Sequence, residues 1–474
     1  NPNPNPSSLP PIYFMPPIPN QNIGKFGEMK KIIPLAFPVV IANLTQVGLG
    51  CVDTIVAGKF SALDMASVAL GTSIFVPIQL FACGILMVLG PIIANLRGRQ
   101  NESRIGYVMS NGMWLVGILS VVILGLLFAA EHLLPWISND PAMVKIAENY
   151  VFAVMWGVPA NLMFVALKSL NEGTNMTRPA MFVGVAALIV NIPANYIFVF
   201  GMFGAPQMGG AGCGVATAIV YWFQAAVMLW LVYKNPSHRS YRQYLIRLAP
   251  PAKEMIKRVI KLGLPVGLSW FCEVMLFCAA ALILAPLGYI AVGCHQVAAN
   301  VASLLFMTPL SIGLAASIRV AYHTGRKDKR GIDSAIRSSY VLVLGIMVVT
   351  SIAILLYHKN IVMLYNEEPI IVSTASSLLL LGVIYQLPDC LQVVSVGILR
   401  GFRDTAAVSM ITFFSYWIVG FPVCYVLART DWVIEGLGAK GVWIGFIFGL
   451  TTAAILLIIR VIRTRKAELK KISA

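Results

Sequence analysis

Charged side chains are scarce in this sequence. Asp, Glu, Lys and Arg make up 11% of its 474 residues, whereas about 25% is usual for soluble domains. Hydrophobic residues make up 58%, and the mean hydropathy is +0.81. A water-soluble protein of this length cannot bury so much apolar surface. The composition therefore excludes a cytosolic, a secreted and a disordered protein, and it requires a lipid bilayer as the partner.

Several chemical signatures are also missing. The eight cysteines form no Cys-x-x-Cys pair, so we expect neither a disulfide framework nor a zinc site. No Gly-x-x-x-x-Gly-Lys-Ser/Thr sequence is present, so this chain lacks the phosphate loop of an ATP-driven pump. No nucleophile–base spacing and no metal-ligand cluster stands out. We therefore expect no enzyme and no bound cofactor, and we assign the net charge of +16 to membrane topology rather than to nucleic-acid binding.

Twelve apolar segments follow one another along the chain, and each is long enough to cross a bilayer. They lie near residues 32–57, 65–94, 106–130, 142–167, 179–203, 212–233, 259–285, 292–318, 338–357, 370–398, 407–428 and 441–459. The predicted fold class is thus an all-α membrane protein with twelve transmembrane helices.

The flanking segments complete the predicted organisation. It comprises a flexible Pro- and Asn-rich tail (1–28), an N-lobe with six spans (29–233), a basic cytoplasmic linker (234–258), a C-lobe with six spans (259–460) and a basic cytoplasmic tail (461–474). We expect a monomer.

The basic residues predict the orientation. With the N-terminus inside the cell, the inner segments hold 30 of the 35 Lys and Arg residues. The outer loops hold the remaining five, which are Lys59, Lys145, Lys359, Arg429 and Lys440. Positive charge collects on the cytoplasmic side of membrane proteins. The sequence therefore predicts a multi-pass protein of the inner (plasma) membrane with both termini in the cytoplasm.

An internal repeat relates the two halves. Pro38 matches Pro265 at a spacing of 227 residues, and Pro193 matches Pro422 at a spacing of 229. Because six spans is an even number, both halves enter the membrane from the same side. We expect two pseudo-symmetric six-helix bundles related by an axis along the membrane normal, with a binding site in the central cleft. The sequence Gly441-x₃-Gly445-x₃-Gly449 predicts close helix packing within a bundle.

Three acidic residues fall deep inside predicted spans, away from the loops: Asp53, Glu273 and Asp389. Away from their first turns, the predicted spans contain no Lys or Arg, so these carboxylates have no fixed positive partner at their depth. Placing a charged side chain of this kind at the bilayer centre costs on the order of 2.5–3.5 kcal/mol of insertion free energy. We expect them to face a cavity, where a proton, a Na⁺ ion or a cationic substrate neutralises them in turn. Such mutually exclusive occupancy is the physical basis of antiport.

Other polar residues accompany these acids. Tyr385 lies one helical turn before Asp389, and Asn191 and Asn195 share one face of the fifth span. The two asparagines are either ligand contacts or interhelical hydrogen-bonding groups. Gln46 occupies the repeat position of Glu273. Gln296 follows His295 at the start of the eighth span, where a histidine is more often a packing residue than a ligand.

At these residues the sequence resembles the multidrug and toxic compound extrusion (MATE) transporters, in particular the NorM-like bacterial exporters. The resemblance is carried by residues 52–58 (VDTIVAG), 64–71 (DMASVALG), 191–199 (NIPANYIFV), 293–298 (GCHQVA) and 385–389 (YQLPD), and by Glu273 after Trp-Phe-Cys. It covers residues 29 to 460.

The resemblance implies a V-shaped pair of lobes that exports amphipathic cationic drugs and dyes in exchange for Na⁺ or H⁺. It implies a C-lobe cation site at Glu273, Asp389 and Tyr385, with Glu273 and Asp389 as the candidate Na⁺ ligands. It implies an N-lobe polar site at Asp53, Asn191 and Asn195, and we add Gln46 and Gln296 as polar support. A related flippase for lipid-linked oligosaccharides and a membrane-embedded enzyme are the alternatives.

Overall fold

The protein is all-helical over the residues that the structure describes. The computed structural model describes residue 24 and residues 26–131, 140–238, 248–287, 289–363, 369–430 and 436–473. The predicted tail up to residue 23, much of the predicted linker (239–247) and Ala474 lie outside the described residues.

Twelve spans can be assigned within this part of the chain, as the sequence predicted. Eleven are single helices or helix runs, and one is a pair of helices bent by 46°. The spans are α1 (Met29–Phe60), α2 (Leu63–Gly98), α3 (Ser103–Ala130), α4 (Pro141–Met155 with Val158–Gly173), α5 (Arg178–Phe200), α6 (Gly210–Lys234), α7 (Lys253–Ala280), α8 (Ile290–Arg326), α9 (Lys329–Met363), α10 (Pro369–Gly401), α11 (Thr405–Arg429) and α12 (Ala439–Ser473). The bend in α4 precedes Pro159, whose ring cannot continue a regular helix.

The buried apolar side chains separate into two large clusters. One cluster draws mainly on α2 to α6, and the other mainly on α7 to α12. Each cluster is the core of one lobe, so the N-lobe comprises α1–α6 and the C-lobe comprises α7–α12. The glycine face of α12 packs within the C-lobe, since a side chain at Gly445 would collide with Cys424, and one at Gly449 would be in tight contact with Gly420. The packing predicted for this motif is confirmed.

The two lobes repeat each other down to the backbone. Left-handed residues, with positive φ, occur in matched pairs at helix ends: Gln100 with Lys327 and Asn175 with Arg403 after helices, and Gly209 with Gly438 before helices. A left-handed residue commonly follows the last turn of a helix, as in the first two pairs. A matched contact supports the same register, because the backbone carbonyl of Phe198 lies against Gly212 and that of Leu427 lies against Gly441. The sequence repeat is therefore a structural repeat.

Several predicted boundaries are wrong. Glu28, placed at the end of a flexible tail, is fully buried. The linker predicted for 234–258 ends earlier, because α7 already begins at Lys253. The tail predicted for 461–474 is helical to Ser473, since α12 continues through residues of high helix propensity and Arg465 pairs with Asp333. Helix α12 extends beyond its apolar run because ion pairs stabilise its polar end.

The lobes meet at one end of the bundle. This end, called the base here, is where α1 begins and α12 ends, and Lys329 hydrogen-bonds with Ser473 there. Helix α1 packs on α8, and α2 packs on α7 and α8. Asn95 of α2 donates a hydrogen bond to the carbonyl of Ala321 in α8 at 3.0 Å. Among the described residues, the hydrogen bonds and ion pairs between the lobes all lie in the half nearer the base.

A buried ion cluster fastens the start of α1 to the C-lobe at the base. Glu28 pairs with Arg319 at 2.6 Å, with His323 at 3.3 Å and with Lys31 at 3.0 Å. Its backbone amide also donates to the hydroxyl of Ser334. Burial by itself would raise the pKa of Glu28, but the hydrogen bonds and charges of His323 and Arg319 lower that pKa well below its ordinary value. Glu28 is therefore ionised at neutral pH.

We predict that Glu28→Gln lowers the stability of the protein at pH 7 by about 3 kcal/mol, because it leaves the buried Arg319 without its carboxylate. Since the pKa of Glu28 is lowered by folding, its contribution is fully present above the ordinary carboxyl pKa and is lost as the pH falls. Lys31→Gln is the control, because the Lys31 side chain is 42% exposed and such pairs contribute about 0–1 kcal/mol. Thermal unfolding of the purified protein in detergent measures both effects, and equal effects would contradict the assignment.

Candidate functional site

A cavity of about 510 Å³ lies between the lobes, directly above the contacts at the base. Helices α1, α2, α4 and α6 of the N-lobe line it from one side, and α7, α8 and α10 of the C-lobe from the other. Most lining side chains are apolar, including Phe164, Trp270, Phe277 and Phe306. A cavity of this size and composition fits a drug-sized amphipathic molecule.

Two predicted residues line this cavity from opposite lobes. Glu273 lies on α7, and Gln46 lies at the matching repeat position on α1. Both side chains are half-buried, and both line the cavity. The two lobes therefore place a polar side chain at the same level, and only the C-lobe supplies a carboxylate there.

The lower part of the cavity wall holds an ion pair that sequence analysis missed. Lys168 and Glu172 of α4 lie 3.8 Å apart and both line the cavity. The Lys168 amine also donates to Asn43 at 3.3 Å, and Asn43 donates to Ser311 of the opposite lobe at 3.1 Å. The expectation that no basic residue lies within a span is wrong, because α4 continues one and a half turns beyond the predicted apolar segment.

A second, smaller cavity of about 20 Å³ lies inside the C-lobe. Asp389, Gln386 and Thr350 line it, and Tyr385 lines both this cavity and the larger one. The Tyr385 ring packs edge-on against Trp443, with the ring centroids 5.4 Å apart. One oxygen of Asp389 is buried without a hydrogen-bond partner among the described residues. This volume is close to that needed by one water molecule or one small ion.

The N-lobe acid has a different environment. The carboxylate of Asp53 accepts hydrogen bonds from Thr217 at 2.6 Å, from Asn195 at 2.8 Å and from Asn191 at 3.3 Å. All four residues are buried, and none of them lines either cavity. The structure therefore brings the predicted N-lobe residues together, with neutral donors rather than a basic side chain around the acid.

The two acidic sites are not copies of each other. The C-lobe residues at the repeat positions of Asp53, Asn191, Asn195 and Thr217 are Ala280, Gly420, Cys424 and Phe446. The N-lobe residues at the repeat positions of Glu273, Tyr385 and Asp389 are Gln46, Gly157 and Asn161. The lobes thus share a backbone frame, but each one carries its carboxylates where the other lobe is neutral.

Gln296 lies apart from the other predicted residues. Its side chain is exposed and donates to Asn300 one turn later, and it lines neither cavity. Its neighbour His295 is buried against Trp443 and Phe446, which agrees with a packing role. Among the described residues, no three His, Cys, Asp or Glu side chains are grouped to hold a metal ion. A cation at Asp389 would need hydroxyl or carbonyl oxygens as its further ligands.

The residues that sequence analysis missed differ in whether the sequence carries a signal for them. Lys168 and Glu172 are spaced by four, which places them on one helix face, and this signal was available. Thr217 carries no sequence signal, because a lone threonine in an apolar helix usually bonds to its own backbone. Only its contact with Asp53 reveals its role.

Comparison with known proteins gives three findings. The family model MatE matches this chain twice, over residues 38–197 and 265–426. The multidrug resistance protein MdtK of Yersinia pseudotuberculosis serotype O:1b (strain IP 31758) is 43% identical over 435 residues, or 92% of this chain and 95% of that protein. The MdtK of Yersinia enterocolitica serotype O:8 / biotype 1B (strain NCTC 13174 / 8081) is also 43% identical, with the same coverage.

Solved structures share the fold. The crystal structure of the eukaryotic MATE transporter AtDTX14 superposes with a TM-score of 0.84 and 18% identity, over 95% of this chain and 100% of that chain. An outward-facing multidrug resistance MATE family transporter of the MOP superfamily gives a TM-score of 0.83 and 20% identity, over 93% and 97% of the two chains. The paired family matches begin at Pro38 and Pro265, the residues that first indicated the repeat.

We predict that Thr217→Val destabilises the protein by about 1–2 kcal/mol, because Asp53 loses its shortest hydrogen bond without a change of side-chain shape. Thr54→Val is the matched control. The exposed Thr54 hydroxyl donates only to the carbonyl of Gly50 in its own helix, and its replacement should leave the stability nearly unchanged. Thermal unfolding in detergent compares the two variants. A loss as large in Thr54→Val would show that Asp53 does not depend on Thr217.

Proposed function

This chain belongs to the MatE family of membrane transporters, and from that premise we propose that it exports amphipathic cationic drugs and dyes in exchange for Na⁺ or H⁺ by alternating access. The observation that carries the proposal is the cavity of about 510 Å³ between the lobes, whose apolar wall holds the carboxylate of Glu273. An amphipathic cation would place its apolar body against the aromatic side chains and its charge beside Glu273.

The coupling ion would act at the adjoining C-lobe cavity. Asp389 lines that cavity, Glu273 lines the larger one, and Tyr385 lines both. Carboxylate and phenol oxygens suit a hard cation such as Na⁺, and a proton would neutralise the same carboxylates. Occupancy by the ion would remove the negative charge that holds the drug. Binding of ion and drug would then be mutually exclusive, as exchange requires.

Asp53 is proposed as a second coupling site. Its carboxylate has three neutral hydrogen-bond donors and no basic partner among the described residues. A proton or ion that reaches Asp53 would change its charge without touching the central cavity. Asn191 and Asn195 act in this proposal as hydrogen-bonding support for Asp53, and Gln46 as polar support in the central cavity. Gln296 has no part in it, since it lies away from both cavities.

The base is proposed to face the cytoplasm. Basic residues concentrate at this end, and the positive-inside rule assigns such an end to the cytoplasmic side of the inner membrane. The contacts between the lobes lie in the half nearer the base. The described conformation is then closed to the cytoplasm, and the cavity belongs to an outward-directed state. An inward ion gradient would drive the return, with about 2.3 kcal/mol per net charge moved for each 100 mV.

The flippase alternative requires a different cleft. A pyrophosphate-linked lipid needs several basic side chains to hold its phosphates. The described lining contains one lysine, Lys168, against two acids, Glu172 and Glu273. This balance favours a cationic substrate.

We predict that Glu273→Gln and Asp389→Asn each abolish ethidium efflux, because each removes a charge that drug and ion must share. Ethidium efflux from membrane vesicles under separately imposed Na⁺ and pH gradients measures this, and it also identifies the coupling ion. Glu254→Gln is the matched control, because Glu254 is an exposed acid at the base end of the same helix as Glu273. The variants should remain folded in the membrane at normal levels. Wild-type efflux by either cavity variant would contradict the assigned roles.

A further inference from the structure

The larger cavity contains a built-in positive charge. Among the residues that the structure describes, the charged side chains of its lining are Glu273 on α7 and the pair Lys168 and Glu172 on α4. The side chain of Lys168 is 16% exposed and that of Glu172 is 5% exposed. The ammonium group of Lys168 is therefore part of the surface that a bound substrate would meet.

The position of Lys168 is fixed by the fold. Its amine lies 3.3 Å from the amide oxygen of Asn43 on α1, and Asn43 is in turn hydrogen-bonded to Ser311 of the opposite lobe. The contact with Glu172 is looser at 3.8 Å, and one oxygen of Glu172 has no hydrogen-bond partner among the described residues. Lys168 is thus held at the cavity wall by Asn43 as well as by its ion pair.

We propose that Lys168 determines charge selectivity, so that the cavity favours singly charged over doubly charged cations. This inference rests on the proposed export of cations. A cation bound beside Glu273 gains from one acid, and Lys168 cancels the attraction that Glu172 would otherwise offer to a second positive charge on the same molecule. Coulomb repulsion at about 10 Å with an effective dielectric constant near 20 corresponds to roughly tenfold in affinity for each substrate charge.

The direction of the effect does not depend on how many acids carry a proton. Removal of Lys168 takes one positive charge from the wall in every protonation state of Glu172 and Glu273. Each positive charge of the substrate then binds more favourably, so the binding free energy of a dication improves by about twice as much as that of a monocation. A purely structural role for Lys168 would instead change the binding of both cations by the same factor.

The test uses two probes of nearly equal shape. N-methyl-4-phenylpyridinium carries one positive charge, and methyl viologen replaces its phenyl ring by a second methylpyridinium and carries two. Equilibrium binding of each probe to purified protein in detergent gives the ratio of their affinities. In Lys168→Met, we expect this ratio to shift toward methyl viologen by about tenfold. Lys168→Arg keeps the charge and should keep the wild-type ratio.

A second variant is needed as a control for misfolding, because Lys168→Met leaves the buried Glu172 without its ion-pair partner. With Glu172 ionised in its pair with Lys168, the double variant Lys168→Met/Glu172→Gln removes the pair as a unit, keeps the net charge of the wall and should restore the wild-type ratio. In the same state, Glu172→Gln alone should shift the ratio away from methyl viologen. If both probes bind and the ratio stays within twofold in Lys168→Met and Glu172→Gln, the selectivity role is overturned while the proposed export stands. If neither probe binds to the wild type, both proposals are overturned.

Discussion

A carboxylate in a low-dielectric interior needs a positive partner, and this need governs the structure. Glu28 meets it permanently through Arg319 and His323, and the result is a fixed contact between the lobes at the base. Asp53, Glu273 and Asp389 have no such permanent partner, because the described structure gives none of them an ion pair with a basic side chain. The first kind of acid stabilises a conformation, and in the proposed mechanism the second kind binds a mobile charge.

The internal repeat provides the frame in which these two kinds of acid are arranged. The backbone repeats closely enough that the left-handed residues at the helix ends recur in matched pairs. The polar content does not repeat, since Phe446 stands where the N-lobe has Thr217, and Asn161 stands where the C-lobe has Asp389. A repeated backbone that carries different polar residues gives two distinct acidic sites and a cleft between them.

The sequence predicted the fold nearly completely, and the site in part. Long apolar runs and their proline spacing are strong signals, so the twelve spans, the two lobes and the three intramembrane acids were found. Helix ends were placed too early at Lys168 and at Arg460, because hydropathy registers the apolar run and not the polar turns that ion pairs stabilise. Gln296 was predicted as a site residue only because it lies in a family motif. The spacing of residues in the sequence does not indicate that its side chain is exposed on α8. Contacts between distant helices, such as that of Thr217 with Asp53, have no local signal.

The central claim is that drug and ion neutralise the same carboxylates by turns. Equilibrium binding of ethidium to the purified protein tests it most directly, with Na⁺ titrated at fixed pH and pH titrated without Na⁺. The account predicts that at least one of these ions weakens ethidium binding competitively, and that Glu273→Gln removes this competition. Ethidium affinity that is independent of both Na⁺ and pH would contradict it.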